Sequence, residues 1–157
     1  MNWLYTLALT PLALTNAMRL ANTTGNAIVV NNCPHHIYLW SVASEVMPQT
    51  TIAPTGNYTE TFRRDARTGG VSIKVSTAKD GLYNSKPLTV FAYNLEGTTV
   101  WYDLSDVFGD PFKGHRVTLG PENQDVIVWE DGVPPAGSQV RVHNAGDDLH
   151  LSLCDSV

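Results

Sequence analysis

The chain has 157 residues, with 10 Lys plus Arg against 15 Asp plus Glu and a formal charge of −5. Its basic residues are scattered, Arg63-Arg64 and Arg67 forming the one cluster, so the dense positive footprint that nucleic acid requires is missing. Mild acidity bears on solubility, and a chain of this length buries a real core as one domain.

The apolar run from Trp3 to Leu14 ends in Thr15-Asn16-Ala17, with small residues where a signal peptidase needs them. Residues 1–17 are therefore expected to be a secretory signal and residues 18–157 one folded domain. A membrane anchor needs about 18 or more apolar residues. Asn16 and Arg19 cut this run short, and no later segment is long and apolar enough, so no membrane association is expected.

Export places Cys33 and Cys154, the two cysteines of the chain, in an oxidising compartment, where they are expected to pair. The competing reading is two free buried thiols, which a secreted chain rarely keeps. In a eukaryotic host Asn22-Thr23-Thr24 and Asn57-Tyr58-Thr59 are N-glycosylation acceptors. Asn57 closes the turn-like Pro54-Thr55-Gly56-Asn57, where a glycan would be exposed.

Little of the chain reads as helix. Short runs rich in Val, Ile, Thr and aromatics alternate with Gly, Pro, Asn and Asp clusters, the pattern of an all-β sandwich or barrel. Strands are expected at 27–31, 36–42, 58–63, 71–76, 88–93, 98–102, 115–119, 125–129, 138–142 and 149–153. Val71, Ile73 and Val75 alternate with Ser72, Lys74 and Ser76, so this strand shows one face to the core and one to water. Val126-Ile127-Val128-Trp129 has no alternation and is expected to be buried on both faces. Glu96-Gly97 reads as a hairpin turn.

The densest chemistry lies in Val100-Trp101-Tyr102-Asp103-Leu104-Ser105-Asp106-Val107-Phe108-Gly109-Asp110-Pro111-Phe112. Aromatics beside carboxylates suit a site for sugar, where rings stack and carboxylates accept hydroxyls. They equally suit a turn in which Asp103 accepts backbone N–H bonds, Asp106 and Asp110 are solvated, and the rings fill the core. No metal or cofactor is expected. Adjacent His35 and His36 point to opposite faces of a strand, His115, His143 and His150 lie far from them in sequence, and no phosphate loop or G-x-S-x-G elbow occurs.

Two segments together resemble the thaumatin-like family. Ala27-Ile28-Val29-Val30-Asn31-Asn32-Cys33 followed by Ile37-Tyr38-Leu39-Trp40 resembles its opening strands. Pro87-Leu88-Thr89-Val90-Phe91 with Tyr102-Asp103-Leu104-Ser105 and Val107-Phe108-Gly109 resembles its T-L-A-E-F and Y-D-[VI]-S-x-V-D-G blocks. The N-N-C-P, Y-L-W-S-V and C-terminal Leu151-Ser152-Leu153-Cys154 patterns are closer still to small secreted fungal proteins of the Blastomyces yeast-phase-specific type. The resemblance implies a thaumatin-like β-sandwich without the larger members' cysteine-rich extra domain, and its first-strand-to-C-terminus bond agrees with the Cys33–Cys154 pairing.

Some thaumatin-like proteins bind or cleave β-1,3-glucans with one arginine, one glutamate and three aspartates. Position by position, the glutamate falls on Val90, the arginine near Val75 with Lys74 on the opposite face, and one aspartate on Phe108. Asp103 survives, and the resemblance assigns the third aspartate to no position. Hydrolysis needs two carboxyls facing the scissile bond, so catalytic residues are not expected. The leading expectation is a secreted, non-catalytic protein binding cell-wall polysaccharide, β-glucan foremost, at the fungal wall or a host surface. Its site would be Asp103, Asp106 and Asp110 with Trp101 and Tyr102. The alternatives are a weak β-1,3-glucanase with a rebuilt acidic pocket, and an effector or antigen that engages host proteins.

Overall fold

The computed structural model describes residues 23–155 except Asn123. The expected signal at residues 1–17 and the Asn22 acceptor lie outside the described residues. Eleven strands are present among them: β1 (Asn26–Asn31), β2 (Ile37–Val42), β3 (Thr50–Ile52), β4 (Asn57–Thr61), β5 (Gly70–Ser76), β6 (Leu88–Glu96), β7 (Thr99–Val107), β8 (Arg116–Gly120), β9 (Ile127–Trp129), β10 (Arg141–Asn144) and β11 (Leu149–Asp155). They form a five-stranded sheet in the order β4-β1-β11-β8-β9 and a six-stranded sheet in the order β10-β7-β6-β5-β2-β3.

Period-2 patterning explains why these segments pair in these registers. Leu149, Leu151 and Leu153 of β11 are fully buried, while His150 and Ser152 take the outer face. Val71, Ile73 and Val75 enter the same core from the other sheet, between β2 and β6. Trp129, Phe91, Phe112 and Tyr102 fill the space between the layers. The β6–β7 hairpin turns at Gly97, whose φ of 60° suits the position, with Glu96 opposite Thr99.

Cys33 and Cys154 are disulfide-bonded, Cα atoms 5.0 Å apart, across a sequence separation of 121. The bond sits at the end of the β1–β11 pair, which is parallel, next to the Asn32 N–H bond to the Leu153 carbonyl. Asn31 shows why an asparagine precedes the cysteine. Its buried amide donates to the carbonyls of His35, Ile52 and Ala53, and its Oδ1 accepts from the Cys33 N–H. Every polar atom of that side chain is satisfied, so its burial fastens two loops to the end of β1.

Several expectations are corrected. Strand β9 is not buried on both faces: Ile127 and Trp129 are buried, but Val126 and Val128 are each 37% exposed. It lies at the edge of the five-stranded sheet, and among the described residues no strand covers its outer face, so an apolar run need not mean two-sided burial. Asp103 and Asp106 do not lie in a turn, because β7 continues to Val107; reversal begins at Phe108, whose φ is 62°, and takes in Asp110. The strand expected at 138–142 is Arg141–Asn144, and the short edge strand β3 was not anticipated. Trp40 is buried, but in a second cluster with Leu88 and Val90, on the far side of the six-stranded sheet from the main core.

Candidate functional site

Side chains alternate along β7, and this decides which site candidates meet. Trp101, Asp103 and Ser105 project from the outer face of the six-stranded sheet, while Tyr102 and Leu104 project into the core. Opposite them on β6 stand Asn94, Ala92 and Val90, and beyond these on β5 stand Gly70, Ser72 and Lys74. Small side chains at Gly70, Ser72 and Ala92 leave a trough. The result is an open groove of about 430 Å³ bounded by Trp101, Asp103 and Val140 on one side and Thr68 on the other. Trp101 is 45% exposed there and Asp103 is half-buried. The groove wall also holds Asn94, whose Nδ2 donates to Glu96 and whose Oδ1 has no donor among the described residues.

The structure therefore brings the Trp101 and Asp103 side chains together on the groove face, leaves Asp106 and Asp110 outside the groove, and has Tyr102 border it while turning its side chain into the core. Tyr102 is buried and donates its hydroxyl to the Asp125 carbonyl at 3.1 Å. Asp106 sits near the end of β7, where it accepts from the buried Thr89 hydroxyl at 2.6 Å. Its other oxygen is buried without a donor among the described residues, and the Asp110 carboxyl lies close by. Burial pushes the Asp106 carboxyl up to about 7; the Thr89 hydroxyl opposes the shift and nearby Asp110 reinforces it. Among the described residues one carboxylate, Asp103, lines the groove.

The register also shows what strand-by-strand reading missed. Lys74 lies on the outer face, paired in register with Val90 and Trp40, while Val75 is buried. The position matched to the family's arginine, near Val75, is thus in the core, and the neighbouring Lys74 faces outward. Asn94 and the small floor residues carry no motif, and only the pairing of three strands reveals them.

Two further polar clusters lie elsewhere. Between the layers, Tyr58 and Tyr93 donate to the two oxygens of Glu60 at 2.8 and 2.7 Å. Burial, with Glu60 adding to it, pushes the Tyr58 hydroxyl up to about 12 and raises that of Tyr93 as well. At one end of the five-stranded sheet a polar hollow of about 480 Å³ holds Glu122, His143, Asp147, Asp148 and His150, with His143 Nε2 3.0 Å from Asp147. Among the described residues no group of three or more His, Cys, Asp or Glu is placed to hold a metal ion.

The family model described as "Blastomyces yeast-phase-specific protein", Bys1, matches residues 14–155. The chain belongs to the Bys1 family. This Bys1-family chain is 33% identical over 124 residues to an "Antigenic thaumatin-like protein" of Arthroderma benhamiae, covering 77% of this chain and 62% of that relative. It is 29% identical over 114 residues to the "Secreted thaumatin-like protein calA" of Emericella nidulans, covering 69% and 64% respectively. The chain thus spans less than two thirds of the length of either relative. Its fold is similar to that of the protein elicitor MoHrip2 from Magnaporthe oryzae, with a TM-score of 0.69, 25% identity, and coverage of 83% of this chain and 99% of that one. The thaumatin-like xylanase inhibitor TLXI shares the fold at a TM-score of 0.52 and 13% identity, over 82% and 99% of the two chains. The Bys1-family chain is a thaumatin-like β-sandwich closed by one disulfide.

Proposed function

We propose that this protein is a secreted, non-catalytic binding protein whose outer-face groove takes cell-wall polysaccharide of the β-glucan class, at the fungal wall or a host surface. The observation that carries the reading is the meeting of the Trp101 indole and the Asp103 carboxylate in one open groove. A pyranose ring lays its C–H face on the indole, and Asp103 accepts hydroxyl hydrogen bonds beside it. Gly70, Ser72 and Ala92 leave room for the ring to approach the sheet. A secretory route is supported by the signal-like residues 1–17, by the disulfide, and by the secreted relative calA.

Hydrolysis is the weaker reading. Glycoside cleavage takes two carboxyls astride one bond, and among the described residues Asp103 is the one carboxylate that lines the groove, while Asp106 is engaged by Thr89 outside it. A protein ligand is the second reading, favoured by exposed Val140 and Val142 near Trp101 and by the likeness to an elicitor and an antigenic relative.

Retention on insoluble β-1,3-glucan tests the proposal. Wild type is expected to be held, with Trp101→Ala and Asp103→Ala each weakening binding about tenfold, the equivalent of about 1.4 kcal/mol. Wild type washing through, or both variants being held as well as wild type, would sink it. Reducing sugar released from laminarin by wild type and lost in Asp103→Asn would promote the glucanase instead.

A further inference from the structure

The outer face of the five-stranded sheet is the counterpart of the groove face, and it has a different character. Asn57 and Thr59 of edge strand β4 are both exposed, while Tyr58 between them is half-buried, packs against the core and donates to Glu60. The alternation puts the Asn and the Thr of the Asn57-Tyr58-Thr59 acceptor together on the outer face. Their register partners on β1 are Val30 and Ile28, two half-buried apolar side chains on that same face. Among the described residues no strand lies over them, since all eleven belong to the two sheets.

The turn before the acceptor is fastened at both ends. Gly56 N–H bonds to the Ala53 carbonyl at 2.9 Å, Thr55 N–H to the Asn31 carbonyl at 2.8 Å, and Asn31 N–H to the Gly56 carbonyl at 3.0 Å. Asn57 therefore leaves a rigid corner, and whatever it carries is directed over the sheet.

We infer that Asn57 bears an N-linked oligosaccharide whose first sugars lie over Val30 and Ile28, covering the outer face of the five-stranded sheet and its β4 edge. The donor is a lipid-pyrophosphate-linked oligosaccharide. Asn57 Nδ2 bonds to its anomeric carbon and gives up one proton, while the C–O bond to the pyrophosphate breaks and the lipid pyrophosphate leaves with the electron pair. The apolar face of an N-acetylhexosamine packs on Val30 and Ile28, and its hydroxyls meet water. An edge strand with free N–H and C=O groups invites pairing with another chain, and a bulky solvated group beside it prevents that. The inference rests on the secretory route proposed above and is independent of what fills the groove.

Full-length chain expressed in a eukaryotic secretory host is collected from the medium and treated with peptide-N-glycosidase in heavy-oxygen water. Asn57 is expected to become heavy-labelled aspartate. Asn57→Gln and Thr59→Ala are each expected to lose that glycan mass, while Thr59→Ser keeps it. Removing the glycan from folded protein should raise apolar-dye fluorescence and self-association, and Val30→Thr should suppress the rise. Secreted chain with Asn57 unmodified would overturn the inference while leaving the secretory reading intact. Chain recovered only inside the cell would end both. A glycan whose removal changes neither dye binding nor association would overturn its covering role.

Discussion

Asp106 is held by a fold that prefers it protonated. Its carboxyl rises from the usual 3.8 to about 7 because it is desolvated and lies close to Asp110. A raised acid favours the folded state fully below its unfolded value, and that contribution is lost as pH rises from about 4 through about 7. A rise of this size would be worth about 4 kcal/mol at full strength. Partial exposure screens this to about 1–2 kcal/mol. Asp106→Asn, which keeps the Thr89 hydrogen bond without a charge, should therefore stabilise the protein at pH 8 and make little difference at pH 4. Urea unfolding at the two pH values checks this, and equal differences at both would show that the carboxyl does not change charge in this range. At this scale the sequence draws attention to the 100–112 segment but does not say which of its side chains share a face. Trp101 and Asp103 meet because they are two apart on one strand, and that rule alone sends Tyr102 to the core. The burial of Asp106 depends on Thr89 lying opposite it, which only strand pairing reveals.

At the scale of elements, backbone corners set how much a side chain is tolerated. Gly132 has a φ of 61°, and a Cβ there would meet the Phe112 carbonyl and stand 2.6 Å from the His115 carbonyl. The backbone around those oxygens is fixed, since Gly114 N–H binds the Asp131 carbonyl and His115 N–H binds that of Phe112. Gly97 has a similar φ of 60° but open space around it. Gly97→Ala should cost about 1 kcal/mol, from backbone strain alone. Gly132→Ala should cost more than about 3 kcal/mol, because two loops must separate. Denaturant midpoints of the two variants test the ordering, and equal losses would show that the corner yields. Most strands were legible from alternation and turn residues, with ends displaced by a few positions. Strand β9 was misread because an unbroken apolar run looks alike in a covered strand and in an edge strand. Strand β3 escaped because three residues carry no period, and the hydrogen bonds that make it a strand come from β2.

For the whole molecule, the defining contact is the parallel pairing of β1 with β11 and the disulfide at its end. A crosslink spanning 121 positions removes much of the unfolded chain's freedom, roughly 4–5 kcal/mol in chain-entropy terms. The double variant Cys33→Ala with Cys154→Ala should melt roughly 10 °C or more below wild type. A melting point within a degree or two of wild type would mean that the β1–β11 pair holds without it. The crosslink was legible from two cysteines and an expected export signal, whereas the strand order between them was not, because order in a sheet follows from long-range contacts that no local pattern encodes. The two outer faces then divide the labour, an open trough on one and the proposed sugar shield on the other.

The order of synthesis gives this closure a biological edge. As the polypeptide emerges, β1 is the first of the eleven described strands to appear, and its flanking partner β11 is the last of them. A product cut short before Leu149 would keep one flank of that strand bare and leave Cys33 without Cys154, the partner it has in the fold. A chain lacking Leu149–Asp155 would thus present β1 as an open edge beside an unpaired Cys33.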